Sequence, residues 1–393
     1  MKIAIITSGI LPVPAVQGGA VENLIDFYLD YNERKKLHDI TIYSVYNKQV
    51  KLHPSLKSKI NHYKYINTDS LLYKLQRRLF SSNKRGIYNY HIEFFLEKVC
   101  KIITKHQYDA IILENRPGYA LELHKKTSTP LIAHIHLDML NDNKYEYVFN
   151  NIRGIITVSN YLYSKASLQI KQKCTTVHNG IDLTMFRKPN ITKRNEERGN
   201  MGFEEKDIVL VYSGRISPIK GVKELIESVC KLEDKRIKLL VIGGSFYGNQ
   251  SSEDEYMQSV METSIPIKDQ IVFTGFRPYS EIPHFLSICD IAVIPSLCDD
   301  AFPTTILEAM AVGLPIIATN RGGIPEQVDE ENAILIDTGP NMVTRLTEAI
   351  KKLSYDQSLR MKMAQASCQK SSKFEKDIYA NKFFDAVNNY IID

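Results

Sequence analysis

Short apolar runs rich in β-branched residues alternate with helical patterns along this chain. The runs of the first series are residues 2–7, 39–45, 110–114, 130–136, 154–159 and 174–178. Those of the second series are residues 208–213, 238–243, 270–274, 291–296, 315–319 and 333–336. Such alternation is typical of parallel sheets flanked by helices. The pattern therefore predicts an α/β fold in which one architecture is built twice.

The two series are separated by a polar, charged stretch at residues 187–206, interpreted as an interdomain linker and the approach to a new sheet. The boundary is placed near residue 185, which gives an N-terminal domain of residues 1–185 and a C-terminal domain of 186–373. Residues 374–392 repeat apolar positions at helical spacing and predict a long terminal helix.

Length and composition fit this reading, since 393 residues exceed what one hydrophobic core usually organises. No apolar run approaches the roughly 20 residues that span a bilayer, and the N-terminus enters a strand pattern rather than a signal peptide. The sequence thus predicts a cytoplasmic protein. The six cysteines form no CxxC pair, which argues against a disulfide framework or a zinc site and favours small core hydrophobes.

Charge is distributed unevenly. The net charge of +5 is too small to indicate nucleic-acid binding, but residues 51–100 carry ten Lys or Arg against three acids. Within this region, residues 70–80 form a basic amphipathic pattern. Its apolar positions are Leu71, Leu72, Leu75 and Leu79, and its basic positions are Lys74, Arg77 and Arg78. Such a segment either lies on an anionic membrane or packs on its own domain with a solvated basic face.

Candidate anion-binding groups follow predicted strands. Gly18 and Gly19 precede a helical pattern, where freed backbone N–H groups either face an anion or form an ordinary turn. Residues 214–221 place Arg215 and Lys220 at the carboxyl edge of the second sheet. Open α/β sheets bind ligands at that edge, so the two cations are expected to neutralise a diphosphate without a metal, the alternative being solvated loop charges.

The densest polar segment is residues 299–315. Small and hydroxylated residues open a predicted helix near Thr304, which leaves N–H groups for sugar hydroxyls or phosphate, and carboxylates at its two ends are each suited to accept a pair of hydroxyls. In the first half, His134 and His136 share one face of a strand. No third ligand at a suitable spacing is evident, so no metal site is predicted.

These motifs resemble the family-four retaining glycosyltransferases of GT-B fold, and the resemblance covers nearly the whole chain. Residues 214–221 match the family's Gly-Arg-Leu-x-x-x-Lys-Gly element. Asp300 and Glu308 match its acidic pair with seven residues between, which closes in a Glu-Ala-Met-Ala-x-Gly-x-Pro run. Residues 179–182, Asn-Gly-Ile-Asp, resemble the run at its interdomain junction.

The resemblance implies two Rossmann-like domains whose parallel sheets face a cleft, with residues 374–393 crossing back to the first domain. It implies that Arg215 and Lys220 hold the donor diphosphate, Glu308 the ribose, Asp300 the donor sugar, and that His136 lies near the reacting sugar. The implied catalytic residues are His136, Arg215, Lys220 and Asp300; the implied donor-binding residues are Gly18, Gly19, Gly214, Arg215, Lys220, Asp300, Ala301, Phe302, Pro303, Thr304, Thr305 and Glu308. Neither metal nor cofactor is expected.

The implied function is retaining sugar transfer from a nucleotide sugar, with a UDP-sugar favoured. The implied acceptor is a lipid-linked or growing bacterial surface glycan such as a capsule, met at the inner membrane face by residues 51–100. The first family acid is usually Glu, so Asp300 leaves the donor sugar open, and Asp299 is a neighbouring alternative. A nucleotide-sugar 2-epimerase, a pyridoxal-phosphate-dependent phosphorylase and a non-catalytic binder share the architecture. No catalytic base is assigned: Glu22, Glu114 and Asp138 are interpreted as structural acids.

Overall fold

The computed structural model describes residues 1–68, 70–71, 73–76, 87–140, 147–187, 191–244 and 250–392. The chain divides into two compact units. Unit 1 comprises Met1–Gly180 and Lys376–Asp393, and unit 2 comprises Ile181–Glu375. The sequence placed the boundaries at residues 185 and 374.

The strands of the described residues are, in chain order, β1 Lys2–Ile6, β2 Asp39–Val45, β3 Asn61–Ile66, β4 Ala110–Glu114, β5 Leu131–Ile135, β6 Gly154–Thr157, β7 Cys174–Thr176, β8 Ile208–Ser213, β9 Ile237–Ile242, β10 Ile271–Gly275, β11 Ile291–Ile294, β12 Ile316–Thr319 and β13 Ala333–Ile336. The helices are α1 Ala20–Lys35, α2 Tyr90–Ile103, α3 Ala120–Leu123, α4 Asn160–Lys165, α5 Leu168–Lys171, α6 Ile191–Asn200, α7 Val222–Cys230, α8 Gln250–Ser264, α9 Ile282–Ser287, α10 Thr304–Ala311, α11 Met342–Tyr355, α12 Gln357–Ser371 and α13 Lys376–Ile392.

Unit 1 contains a parallel sheet in the order β3-β2-β1-β4-β5-β6-β7. Its central strands β1, β4, β5 and β6 are largely apolar and buried, as expected for a parallel sheet that is covered on both faces. The amphipathic helices α1 and α13 share one core with the sheet, and the rings of Tyr28 and Phe383 stack with their centroids 4.2 Å apart. The C-terminal helix therefore belongs to the core of unit 1.

Unit 2 contains a second parallel sheet, in the order β10-β9-β8-β11-β12-β13. In both sheets the first strand of the series lies next to the fourth, so each has the strand order of a doubly wound sheet. The core of unit 2 is formed by this sheet with α7 and α11, and its buried residues include Leu225, Val229 and Leu346. The repeated architecture and the α/β class predicted from the sequence are confirmed.

Two elements differ from the prediction. The sequence pattern missed β3, whose residues alternate between exposed His62 and Lys64 and half-buried Tyr63 and Tyr65 at the edge of the sheet. The segment interpreted as a linker contains α6, and Arg198 on this helix is 1% exposed. The guanidinium group of Arg198 forms an ion pair with Asp290 and donates hydrogen bonds to three backbone carbonyls. The prediction of a linker is therefore wrong for residues 191–200.

Of the cysteines, Cys100 and Cys289 are buried, three are half-buried and Cys368 is exposed, so fewer than predicted are core residues. Within the described ranges, none of the helices combines the length and the apolar character needed to span a membrane.

Candidate functional site

The loop of residues 214–221 connects β8 to α7 and lies against the segment that follows β11. The backbone N–H groups of Leu297 and Cys298 both donate to the carbonyl of Ile219, at 2.9 and 3.3 Å. Gly221 adopts φ +69°, and a Cβ atom there would lie 2.0 Å from the carbonyl oxygen of Pro295. Only glycine permits this approach, because any side chain would push the loop off its support.

This packing places the side chain of Lys220 next to that of Asp300. Their side chains form an ion pair and are 19% and 17% exposed. The hydroxyl of Ser296 donates to the other carboxylate oxygen of Asp300, and the Gly323 N–H donates to the Asp300 carbonyl at 2.7 Å. The neighbouring Asp299 instead pairs with Arg321, at 2.8 Å. The structure thus places Asp300 rather than Asp299 beside Lys220.

Arg215, in the same loop, is exposed, and Gly214 adopts φ +148°. The carbonyl of Arg215 accepts a hydrogen bond from the hydroxyl of Tyr212 at 2.5 Å. Burial raises the pKa of the Tyr212 hydroxyl far above its ordinary value, so it remains a hydrogen-bond donor. The backbone of Arg215 is anchored from within the sheet while its guanidinium group is accessible to solvent.

The helix α10 begins three residues after Ala301. Pro303 occupies its N-cap position without a capping side chain, Thr304 and Thr305 are half-buried, and Ala301 and Phe302 are buried. The side chain of Gln327 donates to the carbonyl of Pro303 at 3.0 Å and so fixes the entry to the helix. A helix start without a side-chain cap presents N–H groups and a positive dipole end, which favour an anion.

Glu308 lies one turn along α10 and is buried. Desolvation raises the pKa of its carboxyl group to about 7, opposed by a hydrogen bond with Thr304. A buried carboxyl group with few partners is expected where a ligand supplies the missing hydrogen bonds. Lys220, Asp300 and Glu308 are therefore all placed on loops and helix starts that follow strands β8 and β11 of unit 2.

Gly18, Gly19 and His136 belong to unit 1. Gly18 and Gly19 adopt φ +75° and +105° and immediately precede α1. A Cβ atom at Gly19 would lie 2.1 Å from a carboxylate oxygen of Glu22, which is buried in the first turn of α1. Desolvation raises the pKa of Glu22 to about 7, and the hydroxyl of Ser8 donates to it at 3.3 Å. The glycine loop is thus packed on a desolvated carboxyl group.

His136 lies just beyond β5 in a buried polar cluster. Its Nε2 atom is 3.3 Å from Oε2 of Glu114, and Nδ1 of His134 is 3.0 Å from the same oxygen. The hydroxyl of Tyr28 donates to Oε1 of Glu114 at 2.9 Å. Burial would raise the pKa of Glu114, but the two histidines outweigh it and hold that pKa below its ordinary value. Burial, together with His134, lowers the pKa of His136.

The sequence analysis found no third candidate ligand at a suitable spacing from the two histidines, whereas the structure brings the carboxylate of Glu114 beside both rings. The ligand atoms of Glu114, His134 and His136 lie within 4.8 Å of one another. Their mutual distances, 3.0 to 3.3 Å, are also ordinary hydrogen-bond distances. The signal for this cluster was a carboxylate that ends the otherwise apolar strand β4, whose register partner on β5 is His134.

The chain is similar in sequence to known glycosyltransferases. Residues 193–370 match the family described as glycosyl transferases group 1. Over 380 residues the chain is 29% identical to the Bacillus subtilis protein named "Putative glycosyltransferase YtcC", covering 92% of this chain and 86% of that one. It is 33% identical over 141 residues to the lipopolysaccharide 1,2-N-acetylglucosaminetransferase of Salmonella typhimurium, covering 35% and 37%.

Among solved structures, the fold is similar to that of Anabaena HepE in complex with UDP-glucose. The TM-score is 0.76 at 20% identity, and the likeness covers 99% of this chain and 100% of HepE. The fold is that of the GT-B glycosyltransferases, which confirms the fold class predicted from the resemblance. The match of residues 193–370 to the group 1 glycosyl transferases and the similarity to the Bacillus subtilis protein confirm the sequence resemblance to glycosyltransferases.

Proposed function

We propose that this protein is a retaining, metal-independent glycosyltransferase that uses a UDP-sugar. The observation that carries the proposal is the arrangement in unit 2: Lys220 pairs with Asp300 on the loops that follow β8 and β11, near the uncapped start of α10 and the buried Glu308. A cation, a helix N-terminus and two carboxylates on one sheet edge suit a diphosphate flanked by two hydroxyl-bearing sugars.

In this mechanism, the donor diphosphate takes the place of Asp300 as the partner of Lys220. Arg215 and the first turn of α10 stabilise the remaining charge. Asp300 is then released to accept hydroxyls of the donor sugar, while Glu308 accepts the ribose hydroxyls. The Lys220–Asp300 pair keeps both groups ordered before the donor binds.

The chemical step needs no protein nucleophile. The acceptor hydroxyl attacks the anomeric carbon on the face from which UDP departs, so the bond from anomeric carbon to acceptor oxygen forms as that to the diphosphate oxygen breaks. The proton of the hydroxyl passes to the departing diphosphate. The positive groups of unit 2 lower the barrier by stabilising charge that develops on UDP.

The donor and acceptor classes are supported by relatives. HepE was crystallised with UDP-glucose, and the Salmonella relative is named for transfer of N-acetylglucosamine to lipopolysaccharide. By analogy with these two proteins, we propose that the donor of this chain is a UDP-sugar and that its acceptor is a lipid-linked or growing surface glycan.

The first test is a thermal-shift panel of UDP, GDP, ADP and dTDP and their sugars, with and without a chelator. A ligand at 100 times its dissociation constant stabilises by about 2.7 kcal/mol, which such a panel resolves. We expect a shift with UDP compounds that survives chelation. A chelator-sensitive shift contradicts metal independence, and no shift with any nucleotide contradicts the donor site.

Product analysis separates the remaining classes. NMR of the product formed from a UDP-sugar and a sugar acceptor should show the anomeric configuration of the donor. An inverted product contradicts retention. Interconversion of nucleotide sugars without acceptor indicates an epimerase, and binding without turnover indicates a non-catalytic protein.

A peripheral contact with an anionic membrane is part of the proposal. Tyr73 packs edge-on against Phe94 of α2, with ring centroids 5.7 Å apart, while Leu71 and Leu75 are 87% and 60% exposed. Leu72, Arg77, Arg78, Leu79 and Phe80 of the predicted amphipathic pattern lie outside the described residues. Exposed leucines within a strongly basic region suit the surface of an anionic bilayer.

Vesicle co-sedimentation tests this contact. Binding should rise with anionic lipid content and fall in a Leu71→Asp/Leu75→Asp variant. Leu168→Asp is the matched control, because Leu168 is 82% exposed on α5 of the same unit. Binding that is insensitive to lipid charge, or equal loss in the control, contradicts the proposal.

A further inference from the structure

Asp300 is held at more points than its ion pair with Lys220 requires. One carboxylate oxygen, Oδ1, faces the ammonium group of Lys220, and the hydroxyl of Ser296 donates to the other oxygen, Oδ2. The backbone carbonyl of Asp300 accepts the N–H of Gly323 at 2.7 Å. Three different segments of unit 2 therefore fix both carboxylate oxygens and the main chain of this residue.

Ser296 is itself anchored by its main chain. It lies two residues beyond β11 and is 2% exposed. Its carbonyl accepts the hydroxyl of Thr319, which ends the neighbouring strand β12, at 2.7 Å. A buried hydroxyl that is anchored in this way and donates to a carboxylate oxygen fixes the direction of that carboxylate.

The main chain of Asp300 is held by the loop that follows β12. Gly322 in this loop adopts φ +58°, and a Cβ atom there would lie 2.2 Å from the carbonyl oxygen of Asp300. The neighbouring Arg321 contacts Asp299, with 2.8 Å between Nε and Oδ1. The loop comes this close to Asp300 only because residue 322 has no side chain.

A donor would affect these supports differently. A diphosphate competes with Asp300 for the ammonium group of Lys220, because both are anions. The Ser296 hydroxyl and the Gly323 N–H belong to buried residues that already donate to Asp300, and each can be left in place. In the proposed function, Asp300 thus loses its contact with Lys220 when the donor binds and keeps the other two.

We propose that Ser296 is a positioning residue, which directs the carboxylate of Asp300 toward the hydroxyls of the donor sugar once Lys220 has turned to the diphosphate. This inference rests on the proposed function and deepens it. Ser296 acts through Asp300, and the loop of residues 321–323 has the same role for the Asp300 main chain. Loss of Ser296 should therefore impair recognition of the sugar and spare recognition of UDP.

Calorimetric titrations of the full chain with UDP, UDP-glucose, UDP-galactose and UDP-N-acetylglucosamine test this role. Ser296→Ala should raise the dissociation constant of the tightest-binding UDP-sugar about three- to tenfold, the loss expected for one hydrogen bond, and that of UDP by less than about twofold. Ser287→Ala is the matched control, because Ser287 is also 2% exposed in unit 2 and its hydroxyl donates to the backbone carbonyl of His284. This control should change neither dissociation constant.

A double-mutant cycle shows whether Ser296 acts through Asp300. In an Asp300→Ala background, Ser296→Ala should cause no further loss of UDP-sugar affinity, because the group that it orients is absent. Additive losses overturn the proposal. Loss of UDP and UDP-sugar affinity by the same factor in Ser296→Ala would show a general structural effect and also overturn it.

Gly322→Ala tests the support of the Asp300 main chain while the Ser296 hydroxyl is retained. It should weaken UDP-sugar binding more than UDP binding, whereas Gly339→Ala should not, since Gly339 adopts φ +112° with nothing within 4 Å of a Cβ atom. If the unmodified protein binds no UDP or no UDP-sugar, the proposed function fails and this inference fails with it. If it binds both and Ser296→Ala leaves their affinity ratio unchanged, the inference alone is overturned.

Discussion

Charged side chains in unit 2 satisfy one another before any ligand is bound. The ammonium group of Lys220 and the carboxylate of Asp300 are both largely withdrawn from water, which is costly unless they are paired. A pair of this kind can exchange partners with a ligand that carries both an anion and hydroxyl groups. The predicted substrate has that character, so we expect the pair to break when the donor binds.

Removal of the cations tests the diphosphate assignment. Lys220→Ala and Arg215→Ala should each lower turnover by at least about tenfold, the scale of a lost charge-stabilising contact. Steady-state kinetics with the UDP-sugar that gives the largest thermal shift measures this. Lys223→Ala, on the neighbouring helix α7, is the control. Turnover close to normal in both site variants would contradict the assignment.

Glu308 should couple stability to pH in a direction opposite to that of a salt-bridged acid. Its folded-state pKa of about 7 exceeds the ordinary value of 4.5, so the folded state binds the proton more tightly. The contribution of Glu308 to the free energy of unfolding is fully present below pH 4.5 and is lost as the pH rises to about 7. Glu308→Gln should therefore stabilise the free protein by on the order of 3 kcal/mol at pH 8 and by little at pH 4.5.

The same variant should bind UDP more weakly, since an amide accepts fewer ribose hydroxyls than a carboxylate. Denaturant unfolding at the two pH values, with UDP binding measured at pH 8, checks both effects. Destabilisation at pH 8, or tighter UDP binding, would contradict this account of Glu308.

The residues of unit 2 were accessible to sequence reasoning because they lie in short motifs at strand ends. Lys220, Asp300 and Glu308 are each fixed by spacing within one loop or helix. The cluster around Glu114 was not found from the sequence because its partners are distant along the chain: Tyr28 is on α1, His134 is on β5 and His136 follows β5. Strand order and register bring these side chains together, and neither is visible in a local pattern.

At the scale of elements, the loop 214–221 depends on a close approach between backbones. Gly221→Ala should displace it from the Pro295 carbonyl and weaken UDP binding by at least about tenfold, because Lys220 moves with the loop. Gly202→Ala is a matched control: Gly202 adopts φ +79°, and nothing lies within 4 Å of a Cβ atom there. The Gly202→Ala variant therefore introduces backbone strain without a steric collision, whereas Gly221→Ala introduces both. Equal weakening in calorimetric titrations of both variants would contradict the argument.

Strands and helices were predicted correctly where the apolar runs were long. They were missed where tertiary contacts, rather than the local sequence pattern, determine the secondary structure. The edge strand β3 has tyrosines and polar residues in place of a continuous apolar run, so its period gave little signal. The helix α6 has a polar sequence, and its stability comes from Arg198 satisfying carbonyls around Asp290 rather than from an apolar stripe. Intrinsic helix propensity contains no information about hydrogen bonds between residues that are distant in sequence.

At the scale of the whole molecule, each unit has its own core. Phe383→Ala should destabilise unit 1, and Leu346→Ala should destabilise unit 2, each by about 2–5 kcal/mol, because both side chains are fully buried. Differential scanning calorimetry should show two transitions, with each variant lowering a different one. A single transition lowered equally by both variants would show that the units unfold together.

The place of α13 in the core of unit 1 also affects how the protein is made. The sheet of unit 1 leaves the ribosome first, but the helix that completes its core follows only after the 195 residues of unit 2. At 5–20 residues per second, that interval is about 10–40 s. During this time the apolar surface that α13 later covers is exposed to other nascent chains and to chaperones, whereas unit 2 needs no later segment to complete its own core.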